Sequence, residues 1–194
     1  MRRLAIAMVA LSTLALAWSA VTLVWAEPVT GVVHHVHVRE LERLLATEEA
    51  KAASRPRSRT TRVPALSEGA PVGRLTAHGI DAVVVMGSSP SELKKGPGLW
   101  NARPGDGGTT VISGHRTTYG APFRHLDRLG QGDRLRLGTP YGTFDYRVTG
   151  TRIVEPSDLS VIRDVGHEQL VLTACHPVYS AAQRIVVFAD RIQP

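Results

Sequence analysis

Eight short runs rich in β-branched residues, separated by glycine, proline and aspartate turns, fill the chain after residue 71. They are Val72–Leu75, Ala82–Met86, Thr109–Ser113, Arg134–Leu137, Thr143–Val148, Arg152–Val154, Gln169–Ala174 and Ile185–Ala189. Runs this short are strands rather than helices. Eight of them at close spacing need their edges protected, which points to a closed barrel or a sandwich. Helical signals in this part are few. Ser89-Pro90-Ser91-Glu92 is a compact helix start, with an N-cap serine, a proline at the first position and a glutamate at the capping-box place. Lys94-Lys95-Gly96-Pro97-Gly98 stops it within about a turn. A second turn is expected at Phe123–Leu129, ended by Gly130. The class is mainly all-β with a few short helices.

The N-terminal third differs in kind. Leu4 to Ala26 carries no charge and follows Arg2 and Arg3. A helix of about 20 apolar residues crosses the roughly 30 Å hydrocarbon core. Basic residues stay on the cytoplasmic side, so the rest of the chain is expected outside. A cleaved signal segment is the alternative, because Val24-Trp25-Ala26 and Ala15-Leu16-Ala17 resemble small-residue cleavage sites. Val38, Leu41 and Leu45 then recur at helical spacing with Leu44 beside them, an amphipathic helix expected to stand on the membrane. His34, His35 and His37 on it lack a carboxylate or cysteine at a recognisable metal spacing and read as solvated. Pro56, Pro64 and Pro71, with Arg55, Arg57, Arg59 and Arg62, mark a basic, self-repelling spacer. The expected organisation is a membrane anchor or signal segment over 1–27, a juxtamembrane helix over 28–53, a linker over 54–71 and a catalytic domain over 72–194.

The formal charge of +6 and pI of about 10.1 suggest nucleic acid at first sight. Residues 1–67, however, hold nine Lys/Arg against five Asp/Glu, while residues 68–194 hold fourteen against twelve. The nearly neutral folded part carries no stripe to track phosphates, and aromatics are only 5%, too few for a stacking surface. Nucleic-acid binding is excluded as a function class.

Cys175 is the one cysteine of the chain. In an exported protein a single thiol pairs between chains, lies buried and inert, or is kept for its reactivity. It ends the apolar run Leu170-Val171-Leu172-Thr173-Ala174, where a strand can hold a nucleophile at a barrel rim. A thiol must become a thiolate to attack, so a base or cation is needed nearby. His176 points to the opposite face if the strand continues. His115 follows Thr109–Ser113 across Gly114 and can reach a rim. Arg184 opens the next run and returns to the level of Cys175 if the two runs pair, where a guanidinium can hold a substrate carbonyl or an oxyanion. His78, His125 and His167 read as surface histidines, and Asp127 and Asp133 as solvent-facing turn residues. Pro104-Gly105-Asp106-Gly107-Gly108 is a turn, since no Lys-Ser/Thr follows and a strand comes next. Cys175, His176 and His115 lack a fourth ligand for zinc.

Leu172-Thr173-Ala174-Cys175-His176-Pro177, Arg184 downstream, and the run Gly114-His115-Arg116-Thr117-Thr118-Tyr119-Gly120-Ala121-Pro122-Phe123 resemble the sortases, specifically class E of actinobacteria. Leu93-Lys94-Lys95-Gly96-Pro97-Gly98 is similar to the segment before the histidine motif of that class. The resemblance covers residues 72–192. It implies a closed eight-stranded sortase-type β-barrel behind an N-terminal transmembrane helix, on the outer side of the cell membrane. It also implies a cysteine transpeptidase; no cofactor is expected, and since no ligands stand out for a calcium site of the kind some other sortase classes carry, independence of metal is expected too. Its implied partners are surface proteins carrying a C-terminal LAXTG- or LPXTG-like sorting signal, cut between Thr and Gly, and a cell-wall (peptidoglycan) precursor whose amine accepts the Thr. Cys175 matches the nucleophile, His115 the general acid/base and Arg184 the oxyanion arginine. Tyr119 matches the class E tyrosine associated with LAXTG preference, and Thr173 and Ala174 fall in the substrate-binding stretch. The family often has threonine where this chain has Ala174 and Val171. Two other readings stay open: an exported cysteine hydrolase that releases the cleaved protein, and a non-catalytic barrel that binds envelope peptides.

Overall fold

The computed structural model describes residues 2–24, 28–54 and 63–192. Two helices, α1 (Arg2–Val24) and α2 (Pro28–Ala53), precede the strands. The strands are β1 (Pro71–Ala77), β2 (Ile80–Met86), β3 (Gly98–Asn101), β4 (Thr109–Ser113), β5 (Arg134–Thr139), β6 (Gly142–Val154), β7 (Gln169–His176) and β8 (Gln183–Arg191). One-turn helix α3 (Pro90–Leu93) lies between β2 and β3, and 3₁₀ turns cover Leu126–Arg128 and Leu159–Ile162.

The strands close in the order β1-β2-β3-β4-β7-β8-β6-β5. Closure removes every edge, which settles the barrel over the sandwich. The β2–β3 and β4–β7 contacts are parallel and the remaining contacts antiparallel. Alternation sends Leu170, Leu172 and Ala174 of β7 into the barrel with Ile112, Ile185 and Val187. Val171 faces outward and joins Val111, Val186, Val154 and Val161, the last from the 3₁₀ turn. With both faces of β7 covered, its sequence is a continuous apolar run rather than an alternating one.

Eight strands were expected and eight form, but the sets differ. Gly98–Asn101, where no strand is expected and only Gly98 belongs to the helix stop, pairs with β2 and β4 as β3. Thr143–Val148 and Arg152–Val154 are one strand, β6, whose register against β8 shifts between Val148 and Gly150. The glycine is absorbed by a bulge instead of ending the strand. At α3 the expected proline stands at the helix start, but the Ser89 hydroxyl bonds the Glu92 carboxylate and not a helix N–H.

The N-terminal segments also depart from expectation. The apolar stripe of α2 lies on the barrel: Leu41 and Leu45 are buried against Val83 and Val85 of β2. Val63, in the expected spacer, is fully buried in the barrel core, and its N–H donates to the Pro104 carbonyl at 3.2 Å. Leu66 packs against the same core. The linker from Val63 onward is therefore part of the folded body, while Arg55, Arg57, Arg59 and Arg62 lie outside the described residues. Among the described residues no helix is long and apolar enough to cross a membrane. Trp25 and Ala26 of the expected span lie outside them, and α1 ends at Val24.

Candidate active site

Strand register brings three sequence-predicted residues to one level. The parallel β4–β7 ladder ends with Ser113 beside Thr173, and the Gly114 N–H continues it by donating to the Thr173 carbonyl at 3.0 Å. Two residues beyond each partner stand His115 and Cys175. On the other flank Cys175 is directly paired with Arg184 across β7–β8. Alternation gives Cys175 the face of Thr173 and Val171, and Arg184 the face of Val186, so both look outward next to the valine cluster. Trp100 packs on that cluster and donates its indole N–H to the Ser113 hydroxyl at 3.0 Å. Cys175 is free and partly exposed.

Arg184 is tied by one nitrogen only. Its Nη1 donates to the carbonyls of Ala181 and Gln183 at 2.9 and 3.0 Å. Among the described residues its Nε and Nη2 have no hydrogen-bond acceptor, so they remain as donors for a ligand oxygen beside Cys175.

His115 is positioned by a loop instead of a ladder. A side chain on Gly114 would put its Cβ 2.6 Å from the Phe123 ring, so only glycine allows the turn to wrap this buried phenylalanine. The Phe123 N–H donates to the His115 carbonyl at 3.0 Å and closes the loop. Tyr119, Gly120 and Ala121 follow with φ of 49°, 75° and 46°, a left-handed run that side chains other than glycine adopt at a cost. This run lays the Tyr119 ring against the His115 ring, 5.1 Å between centroids and tilted by 42°. Burial pushes the His115 pKa below the ordinary histidine value, because desolvation disfavours the imidazolium.

Helix α2 reaches this loop. The Tyr119 N–H donates to the Thr30 hydroxyl at 3.1 Å, and the His34 ring sits on the Gly120 backbone. His34 is therefore not a solvated histidine. Burial lowers its pKa, with the charges of His35, His37 and His115 acting in the same sense and a hydrogen bond to the Lys94 backbone opposing.

Other predicted residues fall as follows. Thr173 is partly exposed on the Cys175 face, whereas Ala174 is buried with its methyl in the barrel core, so its side chain does not line the site. His176 shares the face of Ala174. His78 and His167 are exposed, and His167 meets Asp190 at 3.2 Å. His125 is partly buried, and burial, then Arg128 and Arg124, lower its pKa. Asp127, read as a solvent-facing turn residue, is exposed and also pairs with Arg116 at 3.0 Å. Among the described residues no group of three or more His, Cys, Asp or Glu side chains could hold a metal ion.

Sequence reasoning missed Thr30, His34 and the role of Arg116. Strand alternation could have turned Arg116 away from His115, but nothing in the pattern says that a charged loop residue is buried.

A lone thiol on a closed barrel, level with a guanidinium on one side and an imidazole-bearing loop on the other, is an arrangement that cysteine-nucleophile chemistry can use. The chain belongs to the sortase family: the sequence profile of the sortase domain matches residues 74–192. It is 37% identical over 116 residues to Sortase D of Bacillus subtilis, covering 56% of this chain and 57% of that protein. Identity to Sortase SrtE1 of Streptomyces coelicolor is 28% over 106 residues, covering 50% of this chain and 30% of that one. The solved structure of sortase E from Streptomyces avermitilis is similar with a TM-score of 0.58 at 30% identity, over 66% of this chain and 91% of that chain. The chain thus spans less than two thirds of the length of these two curated relatives.

Proposed function

We propose that this protein is a membrane-anchored cysteine transpeptidase that cuts a C-terminal sorting signal between Thr and Gly and transfers the Thr to an amine of a cell-wall precursor. The observation that carries this reading is the level arrangement of Cys175 with Arg184 across β7–β8 and with the His115 loop across β4–β7. The Cys175 thiolate adds to the scissile Thr carbonyl, and the Nε and Nη2 donors of Arg184 face the oxyanion that forms. The C–N bond then breaks as the His115 imidazolium gives its proton to the departing glycine amine, leaving a thioester. Neutral His115, the form that burial favours, takes a proton from the incoming amine. That amine attacks the thioester and expels the Cys175 thiolate. Water competes at this step, so hydrolysis is the natural side reaction.

Class E character and an LAXTG-type signal are the finer part of the proposal, supported by Tyr119 against His115 and by the 30% identity to a sortase E. The 37% identity to a Sortase D favours the other reading, a sortase outside class E. The anchor rests on the uncharged run Leu4–Ala26 behind Arg2 and Arg3.

The test uses the full chain in detergent with LAXTG and LPXTG peptides and a glycine amine, followed by mass spectrometry. A Thr-to-amine product that Cys175→Ala abolishes is the expected result. Cleavage that yields only hydrolysed peptide at saturating amine identifies a hydrolase instead. Absence of any adduct on Cys175 with both peptides, in a folded protein, overturns the enzyme reading in favour of a peptide-binding barrel.

A further inference from the structure

Arg116 follows His115 but points the other way, into the end of the barrel, where its side chain is only 2% exposed. Its guanidinium meets four residues on two segments, the end of β7 and the turn that holds Arg124 and Asp127. Nη1 lies 2.9 Å from His176 Nδ1 and 3.5 Å from the Cys175 carbonyl oxygen. Nε donates to the Arg124 carbonyl at 3.4 Å, and Nη2 pairs with the Asp127 carboxylate at 3.0 Å. Arginine has donors and no acceptor, so His176 Nδ1 must be the bare nitrogen of the ring, and the ring proton sits on Nε2.

These contacts are a poor device for stability alone. A buried cation is costly unless closely paired, and the one counter-charge here, Asp127, is itself 51% exposed. The remaining acceptors are neutral. An apolar side chain of similar volume commonly serves a barrel end as well or better. What the guanidinium supplies, and an apolar chain does not, is a fixed fork of donors joining the backbone next to His115 to the main chain of Cys175.

We propose that Arg116 is a positioning residue for the transfer reaction, locking the His115 loop to the Cys175 main chain and holding His176 as the Nε2–H tautomer. It touches no reacting atom. It acts through the distance between the acid/base and the nucleophile, which the loop would otherwise leave to the left-handed run and to α2. Proton transfer to the leaving amine needs His115 within hydrogen-bond reach, and a misplacement of about 1 Å costs on the order of a hundredfold in rate.

The proposal rests on the transfer reaction proposed above, and its test separates the two. The full chain and its Arg116→Met, Arg116→Lys, His176→Gln and Arg116→Met/His176→Gln variants are compared by thermal unfolding, by ¹⁵N NMR of the histidine rings and by steady-state transfer. Arg116→Met should stay folded and lose its single His176 tautomer. Its kcat should fall by roughly 10- to 100-fold with KM changed less than about threefold. Arg116→Lys, which keeps the charge but not the fork, should recover little of this. In the double variant the kcat losses should be less than multiplicative, because both changes cut one contact.

The proposal is overturned if folded Arg116→Met keeps the wild-type kcat, or if its His176 tautomer is unchanged. A kcat loss that merely tracks the unfolded fraction also overturns it. Should Arg116→Met fail to fold, His176→Gln decides: a several-fold fall in kcat at unchanged unfolding temperature supports the lock, and no change overturns it. A folded wild type that transfers nothing would sink the functional reading, while the tautomer comparison still decides the lock.

Discussion

The two sides of the candidate site are built by different means. Cys175 and Arg184 stand on paired strands, where one ladder register sets their separation. His115 stands on a loop held by three unlike supports: the Phe123 closure, the Arg116 fork, and the Thr30 and His34 contacts from α2. A ladder can be lost only with the barrel, whereas the loop supports can be removed one at a time. The Cys175 side should therefore respond to barrel stability, and the His115 side to local contacts that leave the barrel folded.

The largest expected effect lies on the strand side. Arg184→Gln removes the proposed oxyanion donors without disturbing the ladder, and kcat should fall by about 100- to 1,000-fold at an unchanged unfolding temperature. Retention of more than a tenth of the activity would place the oxyanion elsewhere. Leu172→Ala, in the core beneath the same strand, should destabilise the fold by about 2–5 kcal/mol. The protein that remains folded should keep its rate, as measured by denaturant unfolding beside transfer below the transition.

Gly120→Ala inverts that pattern. Its φ is +75°, and the added Cβ would fall 2.2 Å from the His34 ring, so α2 or the loop must move. About 1 kcal/mol of backbone strain is small for the fold. Transfer should nonetheless fall by roughly tenfold or more through misplacement of His115. A rate loss in Leu172→Ala larger than in Gly120→Ala, both measured on folded protein, would break the comparison.

The smallest effect is a pH dependence of the α2 contact. The folded pKa of His34 lies below its ordinary value, so the contribution of this contact is complete above about 6.5 and is lost as pH falls through the lowered folded value. His35 and His37 on α2 and His115 on the loop add to the penalty for a charged ring. Arg74, Lys95, Glu42 and Asp81 line the same cleft, of about 310 Å³, and partly balance one another. The protection of the Tyr119 amide, which donates to Thr30, should drop several-fold from pH 7.5 to 5 in wild type. A His34→Gln variant, unable to gain a proton, should show a flatter dependence.

The same division marks what could be read from sequence. Strands declare themselves through β-branched runs, because a pleated two-sided surface demands them, and the Cys175–Arg184 pairing follows from a short connection between two such runs. β3 escaped notice since Gly98-Leu99-Trp100-Asn101 is short and follows Gly96-Pro97. β6 was split because Gly150 looks like a terminator and only the partner strand reveals a bulge. Val63 is a single apolar residue with no period, so its burial is a tertiary event. The loop supports are equally silent: Arg116 and His34 are polar residues whose burial depends on what arrives from sixty or eighty residues away. The α2 stripe of Leu41 and Leu45 was visible, but periodicity says that a face is covered, not by what.

The course of α2 also sets a working height. Thr30 touches the loop beside His115 and stands four positions beyond Ala26, the end of the proposed membrane segment. Four Cα steps span at most about 14 Å even when fully extended, and α2 already begins at Pro28. On the proposed anchoring, the mouth of the candidate site would be leashed close to the outer face of the bilayer instead of ranging at the end of a long tether. Within that shallow layer it would meet sorting signals as they leave the membrane and acceptor amines on membrane-held precursors, in what is nearly a two-dimensional search.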